Sequence, residues 1–236
     1  ILSSRREYTK ASPFVVLLGK GDHEVTSSWT NSQGRVYRTT FGVTCNNITF
    51  IGQGIGETTI LGGLGIENVQ NITLKQLTVT NTNTNCHGIQ MYGAEVYLVD
   101  IEMSNCGGCG IYVRSAASIP SQLVATRCEI SNNSNSGLYI YSPNNNLSPN
   151  VCLKNCISHH NSYGGIYVSG KVIVNVHGNA TAIHSNKYSG IFAMSSCKVL
   201  LHLPSHHNTI YNNTDGDRKT IYGATITNVE DEQEGN

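Results

Sequence analysis

The sequence predicts an all-β chain that winds into a single elongated solenoid, and three observations point to this fold class. A short apolar run entered through a glycine recurs along the chain, its residues alternate apolar with variable, and the copies lie roughly 22–28 residues apart. Alternation with a period of two is typical of a strand. A motif repeated at this spacing is typical of stacked rungs, each of which buries its apolar face against its neighbours. The clear copies begin at Gly88, Gly110, Gly137, Gly165 and Gly190, and weaker ones at Gly65 and Gly223.

A second strand is predicted in each rung, with inward positions that form columns from rung to rung. Counting back from the next glycine places small or apolar residues at the same positions in successive copies, so we expect these side chains to point into the core. An asparagine recurs four residues before the glycines, at Asn133, Asn161 and Asn186, where it can bond to the next rung. The predicted second strands are Asn71–Val79, Glu95–Met103, Gln122–Ile130, Asn150–Ser158, Val172–Ile183 and Val199–Leu203.

Three segments are expected along the chain. Residues 1–42 form a lead-in, with a buried strand at 13–18 and an irregular excursion at 25–42 that carries Trp29 and covers one end of the solenoid. Residues 43–228 form the solenoid, and residues 229–236 form an acidic, disordered tail. The chain starts at Ile1 without a methionine or a signal peptide, which indicates a processed product or a fragment.

The composition narrows the class of partner. Fifteen basic and fifteen acidic residues cancel, so the charge pattern of a nucleic-acid-binding protein is absent and no nucleic acid is expected. No apolar run reaches the ~20 residues of a membrane span. Sequons for N-glycosylation favour a glycoprotein in an extracellular or particle-surface setting. They lie at Asn47, Asn71, Asn132, Asn146, Asn179 and Asn212.

These repeats resemble the right-handed parallel β-helix family, which includes pectate lyase-like and NosD-like solenoids. The resemblance lies in starts such as Gly164-Gly165-Ile166-Tyr167 and in the second strands, and it covers about residues 43–228. It implies a single right-handed parallel β-helix. The family contains polysaccharide lyases, hydrolases and epimerases as well as surface proteins, so it indicates a fold and not an activity. The epimerases' Tyr-Gly followed by Asp-Pro-His and the lyases' Arg-Pro stretch do not occur in this chain.

Aromatic residues occupy the outward positions of the glycine-entered strands. They stand two and four residues after the glycines, and because their apolar neighbours point inward, they point outward. Three roles fit such a file: a platform for sugar rings with polar anchors, an internal stack that stabilises the sheet, or packing against another chain. The predicted binding residues are Gln90, Tyr92, Tyr112, Arg114, Tyr139, Tyr141, Tyr167 and Phe192.

Eight cysteines suit structural roles better than chemistry. Cys106 and Cys109 flank two glycines, but this segment is a turn into a strand and lacks the helix that a redox pair needs. A disulfide or turn packing with Cys86 is the preferred interpretation, and a zinc site with His87 is a weaker one. Cys128 and Cys156 fall in one inward column. No metal ion and no cofactor are predicted.

Candidate catalytic residues are few. His159, His160, His206 and Asp215 are the weak candidates for acid–base chemistry in a lyase or epimerase. A glycosidase uses two carboxylates, and the close pair formed by Asp215 and Asp217 lies in a polar loop, where calcium is a further hypothesis. The charged residues of the repeat align on neighbouring rungs and are interpreted as a surface charge ladder. That ladder comprises Asp100, Glu102, Arg127 and Glu129.

The sequence therefore favours a non-catalytic, surface-exposed module that contacts a glycan or a neighbouring protein through an aromatic face. Two alternatives stay open. One is a polysaccharide lyase or epimerase with unrecognised catalytic residues, and the other is a structural component of a surface, wall or virus-particle assembly. A groove rimmed by a base and an arginine favours the enzyme, whereas a flat, dry face favours packing.

Overall fold

The computed structural model describes residues 8–116, 119–142, 147–203 and 209–230. Within these ranges the chain consists of strands, turns and bends without a helix, so the predicted all-β class is confirmed. It follows that these ranges contain no helix able to cross a membrane. Three parts of the sequence predictions lie outside the described residues: His206, the sequon at Asn146, and residues 231–236 of the expected tail.

The strands are short and follow one another closely along the chain. Their bounds are β1 Phe14–Leu17, β2 Gly21–Glu24, β3 Trp29–Thr30, β4 Val36–Tyr37, β5 Thr40–Val43, β6 Ile48–Ile51, β7 Thr58–Leu61, β8 Gly63–Glu67, β9 Ile72–Thr80, β10 Ile89–Tyr92, β11 Glu95–Ser104, β12 Ile111–Arg114 and β13 Gln122–Thr126. The later strands are β14 Glu129–Ser131, β15 Leu138–Tyr141, β16 Asn150–Lys154, β17 Ile157–His159, β18 Ile166–Ser169, β19 Ile173–His177, β20 Ala182–His184, β21 Ile191–Met194, β22 Lys198–His202, β23 Ile210–Tyr211, β24 Arg218–Ile221 and β25 Thr225–Val229.

Two long parallel sheets run the length of the solenoid. The front sheet contains eight strands, among them the glycine-entered strands of the repeat, in the order β5, β8, β10, β12, β15, β18, β21 and β24. The back sheet contains the other strands except the antiparallel pair β3 and β4. In the front sheet Tyr112 pairs with Tyr139, and Tyr139 pairs in turn with Tyr167, so one repeat of the sequence forms one rung. The predicted parallel rungs and their length are confirmed.

Two of the predicted glycine positions are wrong. Leu64 pairs with Ile89, so Gly63 and not Gly65 precedes the strand in register with Gly88. Ile191 pairs with Arg218, so Asp217 holds the last anchor position, one rung after Gly190. The predicted late copy at Gly223 instead lies in the turn between β24 and β25. Interstrand hydrogen bonds set the register of the strands. The apolar alternation alone does not distinguish Gly63 from Gly65, because a shift of the strand by two residues leaves the same side chains facing the core.

The second strands β9 and β11 are continuous, whereas from β13 onward the second strand of each rung is divided into two segments. β13 ends at Thr126 and β14 begins at Glu129, so the predicted strand Gln122–Ile130 is divided. Arg127 lies at the bend with φ of 51°, and Asp100 and Asn155 hold the same conformation on the neighbouring rungs. This left-handed conformation turns the chain through a corner between the two segments.

The core confirms the inward columns. Ile111, Ile166, Leu123 and Val151 are buried, and Cys128 and Cys156 lie side by side in the same core. The anchor glycines are required by close approach between rungs. A Cβ on Gly165 would lie 2.8 Å from the Asn186 side-chain nitrogen and 2.8 Å from the carbonyl oxygen of Gly190, closer than real Cβ contacts allow.

The predicted asparagine ladder is present and longer than expected. The Asn133 amide donates to the Asn161 Oδ1 at 3.0 Å, and Asn161 donates in the same way to Asn186 at 3.0 Å. Asn186 continues to Asn213 at 2.9 Å, and Asn213 ends the ladder on the Asp217 carboxylate at 2.9 Å. Because these amides are buried, the ladder satisfies backbone groups at the turn of each rung.

The N-terminal segment departs from its predicted arrangement. β1 and β2 already pair in parallel with β6 and β7, so coil pairing begins at Phe14, ahead of the predicted boundary at residue 43. The predicted burial of this strand is wrong for several residues, with Leu17 72% exposed, because no described strand covers its outer edge. The division of the chain at residues 42 and 228 remains a prediction.

Candidate functional site

A continuous file of rings lies on the outer side of the front sheet, at the positions that the sequence predicts. Tyr112, Tyr139, Tyr167 and Phe192 pair in register on consecutive rungs. Their ring centroids are 5.3, 4.7 and 5.2 Å apart in that order. Neighbouring planes are inclined by 49° to 87°, so the rings do not form a parallel stack that would hide their faces from one another.

A second file runs beside the first. Tyr92, Arg114 and Tyr141 pair in register on consecutive strands, as predicted. The Tyr141 ring is parallel to that of Tyr139, with centroids 6.5 Å apart. The Arg114 guanidinium lies 5.7 Å from the centre of the Tyr141 ring and donates to the Gln33 Oε1 at 3.3 Å. Arg114 therefore lies at the edge of the aromatic file and is already engaged by the N-terminal hairpin.

Three of the residues predicted on the outer face are buried. Gln90 is 2% exposed, Tyr92 6% and Phe192 7%. These side chains nevertheless point out of the coil. In β10, for example, the alternate residues Ile89 and Met91 point into the core. The prediction of an open face is wrong at these positions because other parts of the chain cover it.

The cover over Gln90 and Tyr92 is the hairpin formed by β3 and β4. Trp29 lies flat over Gly42 and Gly65, where an added Cβ would meet its ring at 2.5 and 2.3 Å. These two glycines occupy the same outward column as Gln90 on the first two rungs, and their missing side chains form the slot for the indole. The Tyr37 and Tyr92 hydroxyls lie 2.9 Å apart. The excursion thus covers the side of the front sheet, rather than the end of the solenoid as predicted.

A cleft opens where the file is uncovered. It has a volume of about 420 Å³ and is lined by Asn135, Ser136, Tyr139, Tyr163 and Tyr167. Burial raises the pKa of the phenols of Tyr139, Tyr163 and Tyr167, which are protonated at neutral pH in any case. The Tyr167 hydroxyl donates to the Met194 Sδ at 2.7 Å. The cleft combines ring faces with neutral donors and acceptors.

The sequence predictions missed the wall of this cleft. Tyr163 and Tyr188 stack at 4.6 Å with planes 12° apart, and backbone hydrogen bonds align them with Asn135 on the preceding rung. Each stands two residues before an anchoring glycine, Gly165 and Gly190. That repeated spacing was the available signal, because a turn position held in register stacks as a strand position does.

Lys219 covers the other end of the file. Its ammonium lies 4.6 Å from the centre of the Tyr188 ring and 5.7 Å from that of Phe192. It donates to the Tyr188 hydroxyl at 2.7 Å and to the Asp215 carboxylate at 2.6 Å. The Lys219 hydrogen bond lowers the pKa of Asp215, so this catalytic candidate is an ion-paired carboxylate. Asp217, its proposed calcium partner, instead accepts from Asn213.

Two of the histidine candidates, His159 and His160, lie at the end of β17 on the back sheet, away from the cleft. His159 and His160 contact each other through their Nδ1 atoms at 2.6 Å, and the His159 Nε2 lies 3.0 Å from the Glu129 carboxylate. The His159 ring also stacks on that of His184, with centroids 5.0 Å apart. The structure therefore groups two of the candidates but does not bring them to the aromatic file. Elsewhere in the predicted charge ladder, Arg127 donates to both carboxylate oxygens of Asp100, at 2.6 and 2.8 Å.

The turn that contains Cys106 and Cys109 is packed, and its thiols are buried and protonated at neutral pH. Cys86, Cys106 and Cys109 are buried free thiols, and burial raises the pKa of Cys106 to about 11 and of Cys109 to about 12. The neighbouring His87 accepts a hydrogen bond at its Nδ1 from the Cys109 amide at 2.9 Å and stacks on Tyr112 at 4.9 Å. In the described ranges, no group of three or more His, Cys, Asp or Glu side chains is placed to hold a metal ion. Turn packing, rather than a disulfide, is the arrangement seen.

Comparison with known proteins agrees with this architecture. The sequence matches the family described as right handed beta helix region over residues 36–215. No curated protein matches the sequence. Among solved structures, the A-module of mannuronan C-5 epimerase AlgE4 of Azotobacter vinelandii is 12% identical, with 92% of this chain and 89% of that chain covered and a TM-score of 0.30. The AlgE6 A-module of the same organism is 13% identical, with 95% and 92% covered and a TM-score of 0.27.

Pectate lyase Pel9A is 11% identical, with 95% of this chain and 72% of that chain covered and a TM-score of 0.35. The family match extends over well more than half of the chain. It begins within the covering hairpin and includes every strand from β5 to β23. The chain belongs to the family of right handed beta helix regions.

Proposed function

We propose that the cleft on the front sheet binds a glycan and that the protein acts by binding rather than by catalysis. The observation that carries this proposal is the lining of the cleft: three tyrosine rings, one amide and one hydroxyl, with neither a carboxylate nor an imidazole among the described residues that line it. A concave site with aromatic walls and a few polar groups is the usual form of a small-molecule site. The cleft is shallow and open, but polar groups share its lining, which favours a ligand over dry packing between chains.

The chemistry of the lining suits a sugar. The apolar face of a pyranose ring packs on an aromatic face, while its hydroxyls need donors and acceptors at the rim. Tyr139 and Tyr167 supply ring faces at the floor, and Tyr163 supplies a wall. The Asn135 side chain is exposed at the edge and offers its amide as a donor, while its Oδ1 accepts from the Ser136 backbone amide at 2.8 Å and keeps one lone pair for a ligand.

An extracellular or particle-surface setting belongs to the same proposal. The sequons at Asn132, Asn179 and Asn212 are exposed, as an accepted glycan requires. Two other sequons are less open, since the Asn71 amide donates to the Asn47 Oδ1 at 2.9 Å. The proposed partner is therefore a polysaccharide or other glycan on the outside of a cell or particle.

A lyase or epimerase is the second candidate, and one contact favours it. His159 lies against Glu129 and His160, an arrangement that can orient an imidazole as a base. This group is on the back sheet, so catalysis there would need a second site for the sugar. Turnover of alginate or polygalacturonate that is lost in His159→Ala would favour this candidate over simple binding.

A binding panel tests the proposal. The protein is titrated with cello-, xylo-, galacturono- and mannurono-oligosaccharides in a calorimeter, alongside the double variant Tyr139→Ala/Tyr163→Ala. The proposal predicts binding of at least one series and a loss of about tenfold or more in the double variant, since each lost ring contact costs about 1 kcal/mol. Tyr97→Ala is the matched control, because Tyr97 is an outward tyrosine on the back sheet. Equal binding by the double variant and the parent contradicts the proposal.

A further inference from the structure

We infer, on the basis of the proposed glycan site, that the aromatic file is closed at both ends and accepts a short oligosaccharide or the end of a chain, not the middle of a long polymer. The file runs parallel to the solenoid axis, so a sugar chain lying on it has to leave past the first and the last rung of the file. Both exits are occupied by side chains of the protein itself.

The first exit is blocked by the hairpin of β3 and β4. On the rung before Tyr112 the file continues with Gln90, which is 2% exposed. Trp29 fills the column beyond it, over Gly65 and Gly42. A sugar chain that follows the rings past Tyr112 therefore meets the hairpin.

The hairpin is held in place by contacts along its length. The Ser32 backbone amide donates to the Glu67 carboxylate at 2.9 Å, and Gln33 accepts from Arg114 at 3.3 Å. The Trp29 ring stacks on that of Tyr37 at 5.4 Å, and Tyr37 is buried. The Trp29 indole therefore packs in the slot formed by the two glycines, and hydrogen bonds of Ser32 and Gln33 hold the tip of the hairpin against the front sheet.

The second exit is blocked by Lys219. This residue pairs in register with Phe192, so it is the next member of the file, and it leaves Phe192 only 7% exposed. Asp215 and the Tyr188 hydroxyl hold its ammonium over the rings. At this end the file of rings therefore stops at Phe192, and the next position is occupied by the Lys219 ammonium.

The open part of the file contains Tyr112, Tyr139 and Tyr167, which are partly exposed. Two rung intervals separate the first from the last, about 10 Å at the spacing of paired strands. One rung interval is close to the length of one sugar residue in an extended chain. With one sugar residue centred over each of the three rings, the window holds about three sugar residues.

Affinity as a function of chain length tests this inference. The probe is the oligosaccharide series that binds best in the panel above, from monosaccharide to hexasaccharide. We expect the dissociation constant to fall steeply up to the trisaccharide and then to change by less than about twofold up to the hexasaccharide. A dissociation constant that keeps falling through the hexasaccharide overturns the closed window. Absence of binding at every length overturns the proposed function instead, so the two failures are distinct.

Two variants open the window from opposite ends. Trp29→Ala removes the anchor of the hairpin, and Lys219→Ala uncovers Phe192 at the surface. In either variant the hexasaccharide should bind about threefold or more tightly than the trisaccharide, while the trisaccharide affinity stays near that of the parent. Lys219→Ala carries the test if loss of Trp29 unfolds the protein, because Lys219 lies on the surface in the terminal front strand. A length profile that stays flat in folded Lys219→Ala overturns the inference.

Discussion

The ring of Tyr139 packs against that of Tyr167 on the next rung, with centroids 4.7 Å apart and planes inclined by 54°. This separation equals the spacing of paired strands, so the backbone register sets it. The inclination leaves part of each ring face directed into the cleft. One pair of side chains can therefore stabilise the sheet and line a binding site, and a single substitution should affect both.

Tyr139→Ala should lower the free energy of unfolding by about 1 kcal/mol, because the side chain is half-buried between Tyr112 and Tyr167. Chemical denaturation followed by circular dichroism measures this change. The same substitution should weaken glycan binding. A variant with reduced stability and unchanged binding would show that the rings serve the sheet alone.

Ile166→Asp should unfold the protein or cost more than about 4 kcal/mol, because it places a carboxylate in the stacked core. Ile166 is 1% exposed. Ile173→Asp is the matched control, since Ile173 is 43% exposed on the back sheet and should tolerate the change. Thermal melts compare the two. Equal melting temperatures would refute the assignment of inward and outward positions.

Asn161→Ala should destabilise the protein by about 3 kcal/mol, because several buried hydrogen-bonding groups lose their partner together. Asn161 donates to the Ile130 carbonyl and to Asn186, and it accepts from the backbone and side chain of Asn133. Asn179→Ala, at an exposed turn, should change stability by less than about 0.5 kcal/mol. Similar losses in the two variants, measured by urea denaturation, would mean that the ladder contributes little.

Gly165→Ala should cost about 1–3 kcal/mol, because the added methyl group forces the next rung away. The nearest atom to the new Cβ is the Cγ2 of Ile183, at 2.5 Å. Gly19→Ala is the control, since no described atom beyond its chain neighbours lies within 4 Å of a Cβ there. Denaturant midpoints decide the matter, and a Gly165→Ala protein as stable as Gly19→Ala would contradict the close approach between rungs.

Stability should fall as the pH is lowered from about 6.5 to about 4, in part through His87. Loss of solvent around the ring lowers the pKa of His87 from 6.5 to about 4, with a further contribution from Arg35. The unfolded chain therefore takes up a proton at a pH where the folded protein cannot, and stability present above pH 6.5 is lost on acidification. We expect a loss of roughly 2 kcal/mol, less than the whole shift implies, because His87 is partly exposed.

The variant His87→Asn isolates this contribution, since an amide oxygen can replace the Nδ1 acceptor and does not titrate. Its free energy of unfolding should depend less steeply on pH between 4 and 6.5 than that of the parent. Identical slopes in His87→Asn and the parent would contradict the buried neutral imidazole.

The fold was predictable because one local feature repeats. A glycine that must approach the next rung and an asparagine that must bond to it, such as Gly165 and Asn186, fix the register of the later coils. Register in turn places Tyr112, Tyr139 and Tyr167 in one file. The positions of these rings follow from counting residues, because each rung repeats the same pairing.

The cover over the file was not predictable in the same way. Trp29 reaches the front sheet from a segment without repeats, so its location depends on tertiary contacts that no local pattern encodes. The available signal was the pair Gly42 and Gly65, two glycines at consecutive positions of an outward column that leave room for a ring from elsewhere in the chain. Tyr163 and Tyr188 were missed for a simpler reason, since the asparagine four residues before each glycine was the one turn position predicted to align between rungs.

Nuclear magnetic resonance of tyrosine ring carbons, with the protein titrated by the best-binding oligosaccharide, tests the glycan site most directly. The chain has twelve tyrosines, which are assigned by single substitutions. The account predicts that the signals of Tyr139, Tyr163 and Tyr167 shift together and saturate at one ligand per chain, while those of Tyr97 and Tyr211 stay in place. Shifts centred on Tyr211, beside His184 on the back sheet, or saturation without any shift in the three cleft tyrosines, would contradict it.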